Sequence, residues 1–227
     1  MNVLTTGTGV LISAVFAALV LRQYTERKRT YQLMWGIALG LWALAALAEL
    51  IATISNGWSP PVYRLYYATG ALLIPAWLGI GTLFLVIQQK WVNWVLAALV
   101  AFSLLGIILI ATWNISPDSL KPLADNFLPL KVFPFFPVQI VLIILNTFGS
   151  IAFVGGALWS AYKFAKMRTQ SERFLATILI ALGGVIAATA HSLGVVAGIE
   201  LFRISELLAV IVIFAGYLLT VRKTQTK

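Results

Sequence analysis

The chain has 227 residues, of which 61% are hydrophobic and only 10% charged, with a mean hydropathy of +0.96. A soluble domain averages about 45–50% apolar and about 25% charged residues, so a water-solvated enzyme, a disordered tail and a secreted scaffold are excluded. Cysteine is absent, which removes disulfides, thiolate nucleophiles and Cys-held zinc or iron–sulfur centres. The formal net charge of +9 raises nucleic acid as a partner, a question that the position of the charges decides.

A bilayer core requires about 20 consecutive apolar residues in helical form. Seven runs meet that requirement: 3–21, 31–54, 62–87, 91–113, 136–161, 174–198 and 201–221. Their apolar character is continuous rather than alternating, and backbone groups in lipid must be satisfied internally, so helices are predicted and barrel strands are not. The expected fold is all-α: a polytopic seven-transmembrane-helix bundle forming one domain over 1–227.

The first run is not a signal peptide, because no positive residue precedes it while Arg22, Arg27, Lys28 and Arg29 follow it. With the N-terminus outside, one side of the membrane collects these four with Lys90, Lys163, Lys166, Arg168, Arg173, Arg222, Lys223 and Lys227, against only Glu26 and Glu172. The other side holds Arg64, Lys121, Lys131 and Arg203 against Glu49, Asp118, Asp125, Glu200 and Glu206. The positive-inside rule then predicts N-terminus outside and C-terminus cytoplasmic, in a plasma membrane of the bacterial inner-membrane type. Basic residues at helix ends meet anionic headgroups, so the lipid bilayer is the expected partner and nucleic acid is not.

In the second run, Trp35, Trp42 and Glu49 recur every seven residues and form one stripe, and Gly36 and Gly40 match the GxxxG spacing of close helix contacts. The third opens with Trp58 at the outer interface and Tyr63, Arg64, Tyr66 and Tyr67 in its first turns. Pro75, followed by Gly79 and Gly81, predicts a kink and the most flexible segment of the bundle. The fourth run is bounded by Trp91, Trp94 and Trp113, at headgroup depth. The connection 114–135 carries Pro117, Pro122, Pro129 and Pro134, with Phe127, Phe133, Phe135 and Phe136 toward its end; it reads as a connector or as a lid over the bundle mouth. In the fifth, Asn146 and Thr147 are interhelical hydrogen-bonders, and Gly155–Gly156 faces a predicted crossing with Gly183–Gly184 of the sixth. The sixth holds the one histidine, His191, on a side of small residues that includes Gly184, Ala187 and Ala188, and ends in a second GxxxG pair, Gly194 and Gly198. The seventh sets Arg203 three residues from both Glu200 and Glu206.

Intramembrane ionisable groups are expensive and face a bundle interior or a wet cavity. Four runs offer such groups at a similar depth, which makes Glu49, Arg64, Tyr67, His191 and Glu206 the candidate ligand-binding residues of an outward-facing pocket. The structural alternative is a set of ion pairs, Glu49 with Arg64 or Arg203 with Glu206, and a hydrogen-bonded His191. No metal spacing is present, and no cofactor is expected. A retinal Schiff base would need a lysine within the last run, which has none. No Asp lies in any run and no nucleophile motif occurs, so no enzyme activity is expected.

The stretch Arg27-Lys-Arg-Thr-Tyr-Gln-Leu-Met-Trp-Gly, the segment from Trp58-Ser-Pro-Pro-Val-Tyr-Arg through Ile74-Pro-Ala-Trp-Leu-Gly, Asn146-Thr-Phe-Gly and Phe153-Val-Gly-Gly-Ala-Leu-Trp resemble a group of uncharacterised seven-helix membrane proteins of bacteria. More distantly, they are similar to the seven-helix sensor region of some bacterial histidine kinases. The second resemblance implies signal input, and, as the sequence continues only briefly past the last run, a separate signalling partner or a homo-oligomer. The expected function is a non-enzymatic sensory or ligand-binding module for a small molecule or lipid, with Pro75 relaying occupancy inward. A small-solute transporter with a three-plus-one-plus-three helix plan is one alternative, although Pro–Gln dipeptides and a proline in the seventh run are missing from it. A scaffold subunit of a larger membrane complex is the other.

Overall fold

The computed structural model describes residues 3–87, 89–120, 132–167, 171–197 and 199–222; for 171, 191–197, 199–201, 221 and 222 only the backbone is described. Its long helices are α1 (Val3–Arg27), α2 (Thr30–Ile54), α3 (Pro60–Val86), α4 (Val92–Thr112), α5 (Phe135–Lys166), α6 (Ser171–Ala197) and α7 (Ile199–Arg222). No strand occurs among the described residues, and seven helices are long and apolar enough to cross a membrane.

Local chemistry sets the helix ends. α1 runs six residues past its expected end at 21, because nothing in the polar segment to Arg27 breaks a helix. Lys28 stops it by adopting φ 51°, with its N–H donating to the Tyr24 carbonyl at 2.8 Å. Asn56 ends α2 in the same left-handed region, at φ 50°, which Asn tolerates better than most residues. Gly57 then returns a hydrogen bond to Ala52, closing an otherwise open carbonyl. α3 opens on Pro60 and Pro61, where a missing N–H costs nothing.

The helices α1, α2, α3, α5, α6 and α7 form a ring in that order, closed by contact between α7 and α1. α4 stands outside it, against α3 and α5. Its buried residues Val92, Leu99, Ser103, Gly106 and Ile110 make one narrow seam, and its other faces are apolar and exposed. The Trp77 indole N–H donates to Ser103 Oγ at 3.3 Å, and Leu72 packs where a Gly106 side chain would stand. The Trp91, Trp94, Trp159 and Tyr162 rings are exposed at the end of the bundle where most of the basic residues lie, hereafter the basic end. Trp58, expected at an interface, is instead buried against Tyr63 and Tyr66, with ring centroids 5.6 and 5.1 Å away.

The contact between α3 and α5 fixes the centre of the ring. Ahead of Pro75, α3 loosens into a π-helical turn over Tyr67–Leu73. Pro75 has no N–H to give the Ala71 carbonyl four residues back. Asn146 of α5 fills that role, its Nδ2 donating to Ala71 O at 2.9 Å. Just below, Gly79 and Gly149 let the two backbones touch: a Cβ on Gly79 would lie 2.8 Å from Gly149 Cα, and one on Gly149 would overlap the Pro75 carbonyl. The irregularity at Pro75 is thus as expected, but α5 pins the segment. The paired glycines serve several seams rather than one. Gly184 meets Phe153 of α5, Gly183 meets Ala209 and Ile213 of α7, Gly156 meets Thr82 of α3, and Gly155 faces open space. Gly36 packs on Leu21 of α1 while Gly40 is open, and the surroundings of Gly194 and Gly198 lie outside the described residues.

Candidate functional site

At the end opposite the basic one, Glu49 of α2 and Arg203 of α7 form a buried ion pair, Arg203 Nε donating to Glu49 Oε1 at 2.5 Å. Neither of the pairings expected from the sequence, Glu49 with Arg64 or Arg203 with Glu206, is the one made. The reason is helix order: α7 reaches α2 across α1, whereas Arg64 faces outward from the ring. Arg64 donates from Nε to the Ile110 carbonyl at 3.3 Å and from its terminal nitrogen to the Trp113 carbonyl at 2.7 Å. It caps the end of α4, whose last carbonyls have no partner within the helix.

Glu206 stands one turn beyond Arg203, in the field of both Arg203 and Glu49. The three share a void of about 30 Å³ with Thr5, Thr6 and Trp42, room on the order of one or two waters. Arg203 Nη1 is buried and makes no hydrogen bond. Two carboxyl groups therefore stand beside one guanidinium, and only Glu49 is hydrogen-bonded to it.

Glu206 also lines a larger central cavity of about 230 Å³ between α2, α3, α5, α6 and α7. Trp42, Pro75 and Phe153 supply apolar wall; Gly70, Gly149, Gly184, Ala187 and Ala188 supply room; Asn146, Ser150 and Glu206 supply polarity. Having given its N–H to Ala71, Asn146 keeps a buried Oδ1 with no partner. The described polar residues of the cavity can thus accept hydrogen bonds through a carboxyl, an amide and an adaptable hydroxyl.

Tyr67 is fully buried but does not line this cavity. Its ring packs on Tyr63 (5.9 Å) and Phe133 (4.6 Å), and its hydroxyl makes no hydrogen bond. Phe133, near the end of the long connection, inserts here, held by Gln139 donating to its carbonyl at 2.9 Å. Phe135 and Phe136 are exposed, while Pro122, Phe127 and Pro129 lie outside the described residues, as do the side chains of His191 and Glu200. Of the five candidates, then, Glu49 and Glu206 come together, Arg64 and Tyr67 lie elsewhere, and His191 is described by its backbone alone. Among the described residues no group of His, Asp and Glu is arranged to hold a metal ion.

A second cavity, of about 520 Å³, opens at the basic end. Sequence reasoning passed over it, since Arg27, Lys163 and Arg173 entered only as topology markers. Between the two cavities lies a packed layer of Phe16, Trp35, Leu39, Leu78, Phe153, Ile180, Ile213 and Tyr217, whose residual void of about 10 Å³ is marginal even for one water. Leu78, Phe153 and Ile213 also line the central cavity; Trp35, Ile180 and Tyr217 also line the other. The Trp35 indole N–H ties this layer to α3, donating to Leu78 O at 3.2 Å and Thr82 Oγ1 at 3.3 Å.

No protein-family model matches the chain, and no curated protein or solved structure is significantly similar to it.

Proposed function

We propose that this chain is a non-enzymatic ligand-binding module of a bacterial-type plasma membrane, with its N-terminus outside and its C-terminus cytoplasmic. Its central cavity receives a small organic cation of the amine type from the outer side. One observation carries the reading: a cavity inside an apolar bundle whose described polar residues, Glu206, Asn146 and Ser150, can all accept hydrogen bonds, beside the Trp42 and Phe153 rings. An ammonium group supplies the donors, can pair with the Glu206 carboxyl and is attracted by an aromatic face. Orientation rests on the gathering of basic residues at one end of the bundle. The resemblance to kinase sensor regions fits a role in signal input, with occupancy passed to a separate partner through the α3–α5 contact at Pro75.

The test is thermal unfolding of the purified protein in a neutral detergent with methylammonium, ethylammonium or choline chloride against sodium chloride at equal ionic strength. At least one cation should stabilise saturably. Glu206→Gln should weaken that effect by roughly 10–100-fold, the worth of a hydrogen bond to a charged group. Ala188→Phe, which narrows the cavity, should abolish it. Equal behaviour of all the salts, or an undiminished effect in both variants, ends the proposal.

A carrier is the second reading. It is favoured by two cavities back to back across a closed apolar layer, and by α4 standing outside a ring made of two triplets, α1–α3 and α5–α7. Counterflow of the stabilising cation in proteoliposomes would replace the sensor by the carrier.

A further inference from the structure

The cavity at the basic end differs in chemistry from the central one. Six helices line it, all but α4. Arg27 of α1, Lys163 of α5 and Arg173 of α6 contribute three cations, and among the described residues no carboxylate lines it. Tyr31 and Tyr217 also line the space, and their hydroxyls have no hydrogen-bond partner among the described residues. Ser160, Thr177 and Thr220 have spent their hydroxyl hydrogens on carbonyls of their own helices, Gly156, Arg173 and Tyr217. Gln32 is 2% exposed; its Nε2 donates to Gln23 Oε1 at 3.1 Å, and its own Oε1 is buried without a partner. Val20, Trp35, Leu85, Val86, Trp159 and Ile180 complete apolar walls.

Topology alone explains basic residues at this end, but not their convergence from three helices on one cavity within the ring. Nor does it explain an unpartnered buried amide oxygen in its wall. The size, about 520 Å³, lies within the usual range for small-molecule sites, about 300–1,000 Å³. A ligand for these walls needs an anionic head for the three cations and the tyrosine hydroxyls, an apolar body for the aromatic and aliphatic lining, and a hydroxyl or N–H for Gln32 Oε1. We propose that this cavity is a second, separate binding site, for an amphiphile whose phosphate or carboxylate head sits among Arg27, Lys163 and Arg173. A membrane lipid and a soluble organic phosphate share that chemistry.

The experiment uses the full chain in a neutral maltoside detergent, with decyl phosphate as the probe and thermal unfolding as the readout. Decyl phosphate should stabilise saturably, and decyl maltoside and inorganic phosphate should not. The triple variant Arg27→Gln, Lys163→Gln, Arg173→Gln should need about tenfold or more probe for the same shift. A control triple, Arg22→Gln, Arg29→Gln, Lys166→Gln, removes the same charge from the same end but outside the cavity, and should respond as the parent does. All six side chains are exposed, so both variants are expected to fold. Equal loss in the two triples would show diffuse attraction to a basic surface and overturn the proposal, as would an equal shift from inorganic phosphate. Native mass spectrometry assigns the source. A phospholipid retained by the parent, displaced by decyl phosphate and missing from the cavity triple identifies a lipid; a bare protein that still binds the probe identifies a soluble amphiphile. Glu206→Gln should leave the decyl phosphate response unchanged, which keeps failure here distinguishable from failure of the cation site.

Discussion

Glu49, Arg203 and Glu206 pose an electrostatic problem that none of the three solves alone. Removing one partner of a buried ion pair generally costs about 3–5 kcal/mol, because the other charge is left without compensation. Here a second carboxylate stands in the same field, so Glu49→Gln leaves Arg203 with Glu206 to turn to. The expected loss for that single change is accordingly smaller, about 1–3 kcal/mol, while Glu49→Gln with Glu206→Gln should reach the full cost of an unpaired buried guanidinium. A double-mutant cycle by thermal unfolding in one detergent measures the coupling. A double variant no worse than the sum of the singles would mean that Glu206 does not share the guanidinium. Arg64 needs a different argument. Its hydrogen bonds go to backbone carbonyls at the end of α4, so its role is holding that outlying helix to the ring.

Among the helices, the α3–α5 contact carries the most demanding geometry. At Gly149 a methyl group would meet Pro75 backbone rather than the end of a flexible side chain, so relief requires the helices to separate. Overpacking of this kind costs about 1–3 kcal/mol. Separation would also lengthen the bond from Asn146 to Ala71, so Gly149→Ala is expected to destabilise by about 3 kcal/mol or more. Gly155→Ala, on the same helix but facing open space, should be neutral or slightly stabilising, since Ala is the better helix former. Comparison of their melting temperatures checks the pair, and similar losses would remove the crossing from its central place. The seven spans were legible because helix in lipid needs only length and apolar continuity, and both are local. Which glycine mattered was not: the doublets at 155–156 and 183–184 suggested the crossing and Gly79 only a flexible stretch, while Gly79 and Gly149 bring two helix backbones into contact, because closeness depends on which helix lies opposite. The partner of Glu49 was hidden for the same reason. Spacing rules relate residues three or four apart on one helix, and Arg203 lies 154 positions away on another. The stripe of Trp35, Trp42 and Glu49 did point into the bundle, since a period of seven holds one face of a helix whatever stands across from it.

At the scale of the molecule, the described residues of the ring line two cavities of different chemistry, one with acceptors around Glu206 and the other with cations, parted by aromatic and aliphatic side chains. That polarity acquires meaning from the direction in which the chain is inserted. Positive helix ends are retained on the cytoplasmic side, so the cation site should draw on the exterior and the anion site on the cytoplasm or the inner leaflet. A chain without cysteine makes the direction simple to measure. Ser119 is exposed in the one-turn helix Pro117–Leu120 between α4 and α5, and Thr25 is exposed at the basic end of α1. In intact cells a membrane-impermeant maleimide should label Ser119→Cys at once and Thr25→Cys only after the membrane is opened. The reverse pattern would exchange the sources of the two ligands: the carboxylate cavity would then face the cytoplasm, and an extracellular amine could no longer be its occupant.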